Sequence, residues 1–355
     1  MAPASSCYTD SMAFDAPFVG NTHQIRTIEA FDADEHAHNL TDWEQSYDQI
    51  TRGRFHGSLA ELQLPQMQVF RECTSQAVRQ SCCVWPDAFW FGLPEQSEQT
   101  RINGRLAGGH AIMVRPGDCE FELLTPPDYA IYGIVIRREA LLQVAELSGS
   151  QIDWSQLARA EVMHVDNASR TALLQTLSAL LQDDGGCTDS DLRQQVLLNA
   201  LLALLDTSAV DSAVSSSFQR RQRIVAKARD LVLAQHDQAI TVLQLCEQLF
   251  VSRRTLQYCF EDVLGMSPMQ YLRLIRLNGA RRHLRQASSQ AWSVQDVAAD
   301  WGFWHFSQFS SDYRKLFGES PSQSIQAKAT DRKFNRMRPS MARVWLPKHP
   351  SHPEV

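Results

Sequence analysis

The chain lacks the segments that mark membrane and secreted proteins. None of its apolar runs approaches the roughly 20 residues that span a bilayer, and residues 1–11 have neither the basic start nor the apolar core of a secretory signal. Its eight cysteines include no C-x-x-C pair, a spacing typical of zinc and redox sites. The sequence therefore predicts a cytoplasmic protein with no membrane contact, whose cysteines are buried free thiols.

Lysine is absent from residues 1–215, which carry 13 arginines and 29 acidic residues, a formal charge of −16. Residues 216–355 carry 21 lysines and arginines against 11 acidic residues, a formal charge of +10. A basic segment is typical of a protein that binds a polyanion, whereas DNA repels an acidic one. This asymmetry predicts two parts with different tasks.

The basic part contains one helical pattern twice, at an offset of 53 residues. The first copy reads Leu245, Phe250, Ser252, Leu256, Phe260, Leu264, Gly265, Ser267, Pro268. The second reads Ala298, Phe303, His305, Phe309, Tyr313, Phe317, Gly318, Ser320, Pro321. Each copy predicts a short helix, a tight turn and a second helix, with Thr241, Ser252 and Ser293 as N-caps. This arrangement is typical of a helix-turn-helix that binds double-stranded DNA in the major groove.

Candidate DNA contacts are the polar residues that face outward near the start of each second helix. They are Arg253, Arg254, Gln257 and Tyr258 in the first copy, and His305, Ser307, Gln308, Ser311 and Lys315 in the second. Arginine pairs with guanine and glutamine with adenine, so Arg254 and Gln257 are the best candidates for base contacts. Arg253 and Tyr258 fit backbone contacts equally well. The second face is less basic, which predicts weaker sequence dependence there.

The acidic part alternates apolar and polar residues with a period of two. Six or seven short strands between residues 55 and 136, separated by turn signals, predict a compact β-barrel or sandwich. Before them, Thr41–Ile50 has the spacing of a short helix. Three leucine-rich helical stripes follow residue 137. Such stripes pack against the parent domain or form a homodimer seam, and both readings stay open.

These patterns define an α+β fold class: a β-barrel-like, cupin-like sensor domain with a helical connector, followed by an all-α double helix-turn-helix domain. The predicted segments are a loose arm at 1–40, the sensor domain and connector at 41–207, a serine-rich linker at 208–218, the DNA-binding domain at 219–325, and a basic disordered tail at 326–355.

Residues 220–325 resemble the DNA-binding domain of the AraC family of transcription regulators. The resemblance is carried by Val251–Gln257 (VSRRTLQ), Leu264–Pro268 (LGMSP) and Phe317–Pro321 (FGESP), with Gly302-Phe303 and Phe309. It implies an activator that works with RNA polymerase on an operon in response to a small molecule.

A second resemblance, to activators of bacterial ethanolamine-utilisation operons, covers most of the chain between residues 40 and 330. Its carriers include residues 69–72 (VFRE), 79–82 (RQSC), 84–92 (VWPDAFWFG) and 301–305 (WGFWH). It implies that ethanolamine and adenosylcobalamin act together as effectors. The D-x-H-x-x-G motif of base-off cobalamin proteins is absent, because Asn39 replaces the glycine after Asp34 and His36. His36 and His38 are expected to be solvated.

A small ammonium ion binds best beside an aromatic face and a carboxylate. Glu72, Trp85, Asp87 and Trp90 lie in strands and turns that could line the mouth of a barrel, so they are the candidate effector-binding residues. Their aromatic rings could equally fill the β core.

Two other classes of protein compete with an effector-controlled activator. A metal-dependent cupin enzyme needs clustered histidines, and His110 is the lone histidine inside a plausible strand, so neither an enzyme nor a metal site is expected. An architectural DNA binder would leave the 200-residue acidic part without a task.

Overall fold

The computed structural model describes residues 24–95, 99–108, 111–150, 152–182, 189–211, 214–238, 240–286 and 292–325. The strands are β1 (Arg26–Ala30), β2 (Glu44–Gln49), β3 (Gly57–Leu64), β4 (Met67–Thr74), β5 (Val78–Cys83), β6 (Ala88–Pro94), β7 (Arg101–Ile102), β8 (Arg105–Leu106), β9 (Ala111–Pro116), β10 (Phe121–Leu124), β11 (Tyr129–Arg137), β12 (Val162–His164) and β13 (Ala209–Asp211). The helices are α1 (Ala33–Ala37), α2 (Arg138–Ser148), α3 (Trp154–Arg159), α4 (Asn167–Leu180), α5 (Ser190–Thr207), α6 (Ser216–Ala234), α7 (Val242–Leu249), α8 (Arg253–Leu264), α9 (Pro268–Gln286), α10 (Val294–Asp300) and α11 (Phe306–Phe317). His110, residues 1–23 of the predicted arm and the predicted tail at 326–355 lie outside the described residues.

Two antiparallel sheets form the N-terminal domain. The first sheet has the order β1-β3-β4-β11-β6-β9-β12-β13, and the second has the order β2-β5-β10-β7-β8. The predicted fold class is confirmed: a sheet-rich N-terminal domain precedes a helical C-terminal domain. In the described residues the two sheets do not close into one barrel, because each keeps its own ladder of hydrogen bonds and side chains fill the space between them.

The first sheet is buried on both faces, and strict alternation along its strands sorts the side chains. In β4, Val69 faces a core formed with α2, α4 and α5, whereas Phe70 belongs to the core between the two sheets. Glu72 points the same way as Phe70, since it lies two residues further along the strand. A carboxyl group is thereby placed in the interior of the domain.

Two predictions near the N-terminus are wrong. Thr41–Ile50, predicted as a helix, contains β2, because pairing with β5 from Glu44↔Cys83 to Gln49↔Val78 outweighs the local helical spacing. Part of the predicted loose arm is ordered: β1 pairs with β3, and α1 is capped by Asp32, which accepts a hydrogen bond from the backbone N of Glu35 at 3.0 Å.

The region predicted as a linker at 208–218 also contains ordered backbone. β13 pairs with β12 at one edge of the first sheet, and α6 begins at Ser216 with Ser215 as its N-cap. The serines that suggest flexibility therefore serve in part as a helix cap.

The leucine-rich helices pack mainly on their own domain. Leu197, Leu201, Leu204 and Leu205 of α5 are all buried in the core shared with the first sheet. Val196 of the same stripe and Leu147 of α2 are exposed. The central stripe of α5 is thus used within the chain. Leu192 of α5 is exposed as well, and a homodimer seam in this region remains a prediction.

The doubled pattern folds as predicted. The two second helices, α8 and α11, each contain 12 residues and begin 53 residues apart. Thr241 and Ser293 form capping boxes on α7 and α10, and Ser252 accepts a hydrogen bond from the backbone N of Thr255 at 3.1 Å. None of the helices in the described ranges is long and apolar enough to cross a membrane.

Candidate DNA-binding and effector sites

The first recognition helix, α8, buries one side and exposes the other. Leu256 and Phe260 are buried in a core with α6 and α9. Arg253, Arg254 and Tyr258 are exposed, and Gln257 is half-buried. The structure therefore brings the four predicted contacts of this copy together on the outer side, near the N-terminal end of the helix. That end carries the positive pole of the helix dipole, which favours phosphate.

The second recognition helix, α11, exposes a less basic side. His305, Ser307, Gln308, Ser311 and Lys315 are all exposed. Phe309 and Tyr313 anchor the helix in its own core with α9 and α10. His305 occupies the N-cap position but makes no capping hydrogen bond with its side chain. Its imidazole is therefore available to a phosphate or sugar.

Two glutamines among the candidate DNA contacts, Gln257 and Gln308, are oriented by acidic neighbours one helical turn further along. Gln257 donates to Glu261 Oε1 at 2.7 Å, and Gln308 donates to both carboxylate oxygens of Asp312 at 3.0 Å. Asp312 also pairs with Arg273 of α9. Among the described residues, neither amide oxygen accepts a hydrogen bond, so it is open to a base, and the carboxylate restricts the rotamers of the side chain.

A cluster of buried polar side chains lies between the two sheets. Glu72 is 4% exposed, and its Oε1 accepts a hydrogen bond from the Tyr47 hydroxyl at 2.8 Å. Gln80 Nε2 donates to Glu72 Oε2 at 3.3 Å. His36 Nε2 lies 3.1 Å from Glu72 Oε1. Burial, with the neighbouring Glu72 carboxyl group, raises the pKa of Tyr47 well above its ordinary value. The phenol therefore stays a hydrogen-bond donor at neutral pH.

Several buried polar atoms in the interior lack a hydrogen-bond partner among the described residues. Both ring nitrogens of His36, the Thr74 hydroxyl and the Trp90 indole nitrogen are buried without a well-aligned hydrogen bond in the described part of the chain. Each such group costs free energy unless water or a ligand pairs with it.

His36 contradicts the expectation that both histidines of the H-x-H pair are solvated. His38 is exposed, but His36 is 2% exposed and packs near Tyr47 and Phe55. The i, i+3, i+4 spacing of Ala33, His36 and Ala37 places all three on one side of α1, and that side is buried. Without knowledge of what α1 covers, a histidine on a short helix gave no hint of burial.

The four predicted effector residues do not form one site. Glu72 lies in the polar cluster, whereas Trp90 is stacked on Phe121 with ring centroids 4.7 Å apart, in a separate aromatic part of the interior. Trp85 is half-buried with the Arg137 guanidinium 5.5 Å from its ring centroid, and Asp87 is exposed in a turn with φ of 53°. His36, Tyr47 and Gln80, which the sequence did not single out as effector residues, surround Glu72 instead.

The outer side of the second sheet packs on the C-terminal domain through charged groups. Arg79 Nε donates to Glu122 at 2.7 Å, and Arg79 Nη1 lies 3.3 Å from Asp48. Arg282 of α9 pairs with Asp48 at 2.8 Å, and Arg229 of α6 pairs with Glu122 at 3.1 Å. The acidic part of the sequence therefore meets the basic part directly.

The same interface contains a buried ion pair. Asp32 is 1% exposed and Arg281 is 8% exposed, with Arg281 Nε 2.5 Å from Asp32 Oδ2. Burial acts to raise the pKa of Asp32, but the charges of Arg281 and Arg285 and the hydrogen bonds to the carboxylate outweigh it and lower that pKa. Arg281 also pairs with Glu319 at 2.8 Å, so it joins α1, α9 and the end of α11.

Direct hydrogen bonds fix β2 to α9. Asn278 Oδ1 accepts from the backbone N of Gln49 at 2.8 Å, and Asn278 Nδ2 donates to the Gln49 carbonyl at 2.9 Å. The Gln49 side chain donates to the Leu316 carbonyl of α11 at 2.7 Å. These buried bonds hold the edge strand of the second sheet against the helix that connects the two helix-turn-helix units.

Among the described residues, no group of three or more histidines, cysteines or acidic side chains is arranged to hold a metal ion.

Comparison with known proteins identifies the C-terminal region. Residues 245–327 match the family model for a helix-turn-helix domain. The probable thc operon regulatory protein of Rhodococcus erythropolis is 38% identical over 103 residues, which are 29% of this chain and 31% of that protein. The XylDLEGF operon transcriptional activator 3 of Pseudomonas putida is 29% identical over 155 residues, 42% of this chain and 46% of that protein. Both matches cover less than half of the relative.

Two solved structures give the corresponding structural comparison. The AraC-type transcriptional regulator from Chromobacterium violaceum is 29% identical, with a TM-score of 0.29, and covers 31% of this chain and 96% of that one. The AraC-like transcriptional activator CuxR is 15% identical, with a TM-score of 0.39, and covers 78% of this chain and 100% of that one.

A doubled helix-turn-helix with arginine and glutamine side chains on its outer side, within a matching family model, defines a DNA-binding domain of the helix-turn-helix class. Within that class, this region is similar to the corresponding parts of operon regulators such as the two relatives above.

Proposed function

We propose that this protein activates transcription of a catabolic operon when a small metabolite binds between the sheets of its N-terminal domain. The proposal rests on one observation: α1 and β2 each contact both the polar cluster around Glu72 and helix α9 of the DNA-binding domain. RNA polymerase and a second copy of the chain, joined through the exposed side chains of α2 and α5, are the further partners of such an activator.

The proposed effector is ethanolamine acting together with adenosylcobalamin, as the sequence resemblance implies. The chemistry of the interior supports the amine. Glu72 offers a buried carboxyl group to an ammonium, and His36 offers an unsatisfied ring nitrogen to a hydroxyl. Neighbouring Tyr47 and Phe55 add aromatic surface.

The described residues do not fit adenosylcobalamin in the same way. His36, the histidine of the Asp34-x-His36-x-x-Asn39 string, faces the polar interior and is buried against Glu72, so it cannot reach a corrin bound outside the domain. Adenosylcobalamin as a co-effector is supported by the sequence resemblance alone.

Two elements, α1 and β2, contact the polar cluster on one side and the DNA-binding domain on the other. On α1, His36 faces Glu72 while Asp32, its N-cap, pairs with Arg281 of α9. On β2, Tyr47 donates to Glu72 and the next residue, Asp48, pairs with Arg282. A ligand that moves Glu72 or its partners therefore changes the positions of two groups that hold α9. An effector regulates DNA binding only through such a difference between states.

A reporter experiment tests the proposed function. A promoter that the protein binds should be activated when ethanolamine and adenosylcobalamin are supplied together, and weakly or not at all by either one alone. Arg282→Met, which cuts one of the two connections to α9, should change the basal level or the induction ratio while DNA binding persists. A flat response to both compounds would refute this effector pair, and induction by another metabolite would favour a different catabolic operon.

Calorimetry of the full chain with ethanolamine tests the binding site. Glu72→Gln keeps the shape of the side chain and removes its charge, so we expect the affinity for ethanolamine to fall by about tenfold or more, since a charge-assisted contact contributes roughly 1.5–3 kcal/mol. Asp87→Asn is the matched control, because Asp87 is exposed and remote from the polar cluster, and it should bind as the unaltered protein does. Equal losses in both variants, or no loss in Glu72→Gln, would place the ligand elsewhere.

A further inference from the structure

Two aromatic side chains are exposed at the start of the second recognition helix. Trp304 is 72% exposed and precedes the N-cap, and Phe306, the first residue of α11, is 39% exposed. The hydrophobic core beneath them is supplied by Phe303, Phe309 and Tyr313. Trp304 is therefore left mostly in water, and Phe306, whose ring centroid lies 6.4 Å from that of Phe309, keeps part of its ring exposed, although large apolar side chains in water carry a cost that packing normally removes.

The first copy of the duplicated pattern has different side chains at the two corresponding positions. At the offset of 53 residues, Phe306 corresponds to Arg253 and Trp304 corresponds to Val251. Both Arg253 and Phe306 are exposed first residues of their recognition helices. The first copy thus presents a cationic hydrogen-bond donor where the second presents an apolar ring.

Positive charge lies beside the ring of Phe306. Phe306 lines a surface cavity of about 770 Å³ together with Ser311, Arg314 and Lys315. Arg314 and Lys315 are exposed and complement the phosphates of a polyanion. The cavity is therefore lined both by cations that suit a DNA backbone and by an apolar ring. That ring lies at the N-terminal end of α11, the end by which a recognition helix enters the major groove.

The major groove of DNA offers one apolar group, the C5-methyl of thymine. We propose that α11 contacts thymine methyl groups through Phe306 and Trp304, so that the second helix-turn-helix unit selects thymine in its half of the operator. The inference rests on the proposed DNA-binding function. It gives the second unit a base preference of its own, where the polar side chains alone indicate mainly backbone contacts.

Deoxyuridine substitution tests this inference directly, because it removes the methyl group and keeps every hydrogen-bonding group of the base. An operator is first selected from random duplexes with the full-length protein. The half that contacts α8 is then identified as the one where Arg254→Ala relaxes base discrimination. Replacing thymines by deoxyuridine in the other half should weaken binding by about fourfold for each contacted methyl, the value for one buried CH₂, and replacement in the α8 half should not.

Variants assign the effect to the two rings. Phe306→Ser and Trp304→Ser should bind the thymine and deoxyuridine operators with more nearly equal affinity than the unaltered protein does. Leu243→Ser is the matched control, since Leu243 is 69% exposed on α7 and outside both recognition helices, and it should keep the full methyl dependence. Circular dichroism of each variant confirms that it is folded.

The outcomes separate the two proposals. If no operator is enriched from random DNA, sequence-specific DNA binding fails and the methyl contact fails with it. If an operator is enriched but thymine and deoxyuridine bind equally in the α11 half, the methyl contact is refuted and the DNA-binding function stands. A methyl effect that survives unchanged in both ring variants would likewise refute the assignment to Phe306 and Trp304.

Discussion

Replacing Arg281 by methionine should lower the free energy of unfolding by about 3–5 kcal/mol, the usual cost of breaking a buried ion pair by removing one partner. Asp32 would keep its negative charge at a position that is 1% exposed. The change also removes the hydrogen bond to Glu319 and the guanidinium contact with the Phe317 ring, 4.6 Å from the centroid. Urea denaturation followed by circular dichroism measures the effect.

Arg285→Met is the matched control on the same helix. Arg285 pairs with Glu35, which is about half exposed, at 3.3 Å, and it approaches Asp32 at only 3.8 Å. Because Arg281 keeps its direct bond to Asp32 in this variant, the loss should be about 1 kcal/mol, clearly smaller than in Arg281→Met. Adding Asp32→Asn to Arg281→Met should recover part of the loss, because the amide preserves the cap of α1 without a charge. An Arg281→Met protein as stable as the control would show that the ion pair is not a structural anchor.

The same ion pair fixes a pH dependence. The pKa of Asp32 is lower in the folded protein than in the unfolded chain, so its contribution is fully present above the unfolded value of about 3.9. That contribution is lost as the pH falls through the lower folded value. Acid denaturation curves of Arg281→Met should therefore be less steep in this range than those of the unaltered protein.

Replacing Arg254 by alanine should weaken binding to the preferred operator by roughly 5- to 150-fold, which corresponds to the 1–3 kcal/mol of a bidentate contact with guanine. Arg254 is exposed near the N-terminal end of α8, where a recognition helix meets base edges. Discrimination at one base position should relax, and the salt dependence of binding should change little. Titration of the operator and of its single-base variants by fluorescence anisotropy measures both quantities.

Arg138→Ala provides the control for this measurement. Arg138 is an exposed arginine at the start of α2 in the N-terminal domain, so its loss changes the net charge equally without touching either recognition helix. It should leave operator affinity and discrimination almost unchanged. If Arg254→Ala lowers affinity for all sequences by the same factor, Arg254 contacts the backbone and a different residue recognises the base.

The DNA-binding domain was predictable in detail because its signals are local. Capping residues such as Thr241 and Ser252, and glycines such as Gly265 and Gly318 in the left-handed conformation, determine where helices begin and end within a few residues. A cap and a glycine of the same kind recur in the second copy, so the duplication supports the predicted helix boundaries a second time. Exposure of Arg253 and Arg254 followed from the helical period once Leu256 and Phe260 were assigned to the core.

The polar cluster around Glu72 was less predictable because it is built from distant segments. Glu72 was predicted as an effector-binding residue from its neighbours in the sequence, whereas its partners in the structure come from α1, β2 and β5. The alternation of side chains along a strand shows which residues share a face, but it does not show which face packs against another sheet. Trp85, Asp87 and Trp90 are close in sequence and diverge in space, because a turn and a strand separate their side chains.

The docking of β2 on α9 has a consequence for how the chain can be divided. The covalent connection between the domains runs through residues 208–218, but the buried hydrogen bonds between Gln49 and Asn278 lie far from it. A fragment cut at the connection would uncover Asp32, Asp48 and Glu122 together, an acidic surface that the arginines of α6 and α9 neutralise in the intact chain. The two domains are therefore not interchangeable modules: this N-terminal domain, transplanted onto another DNA-binding domain, would need arginines at these same positions.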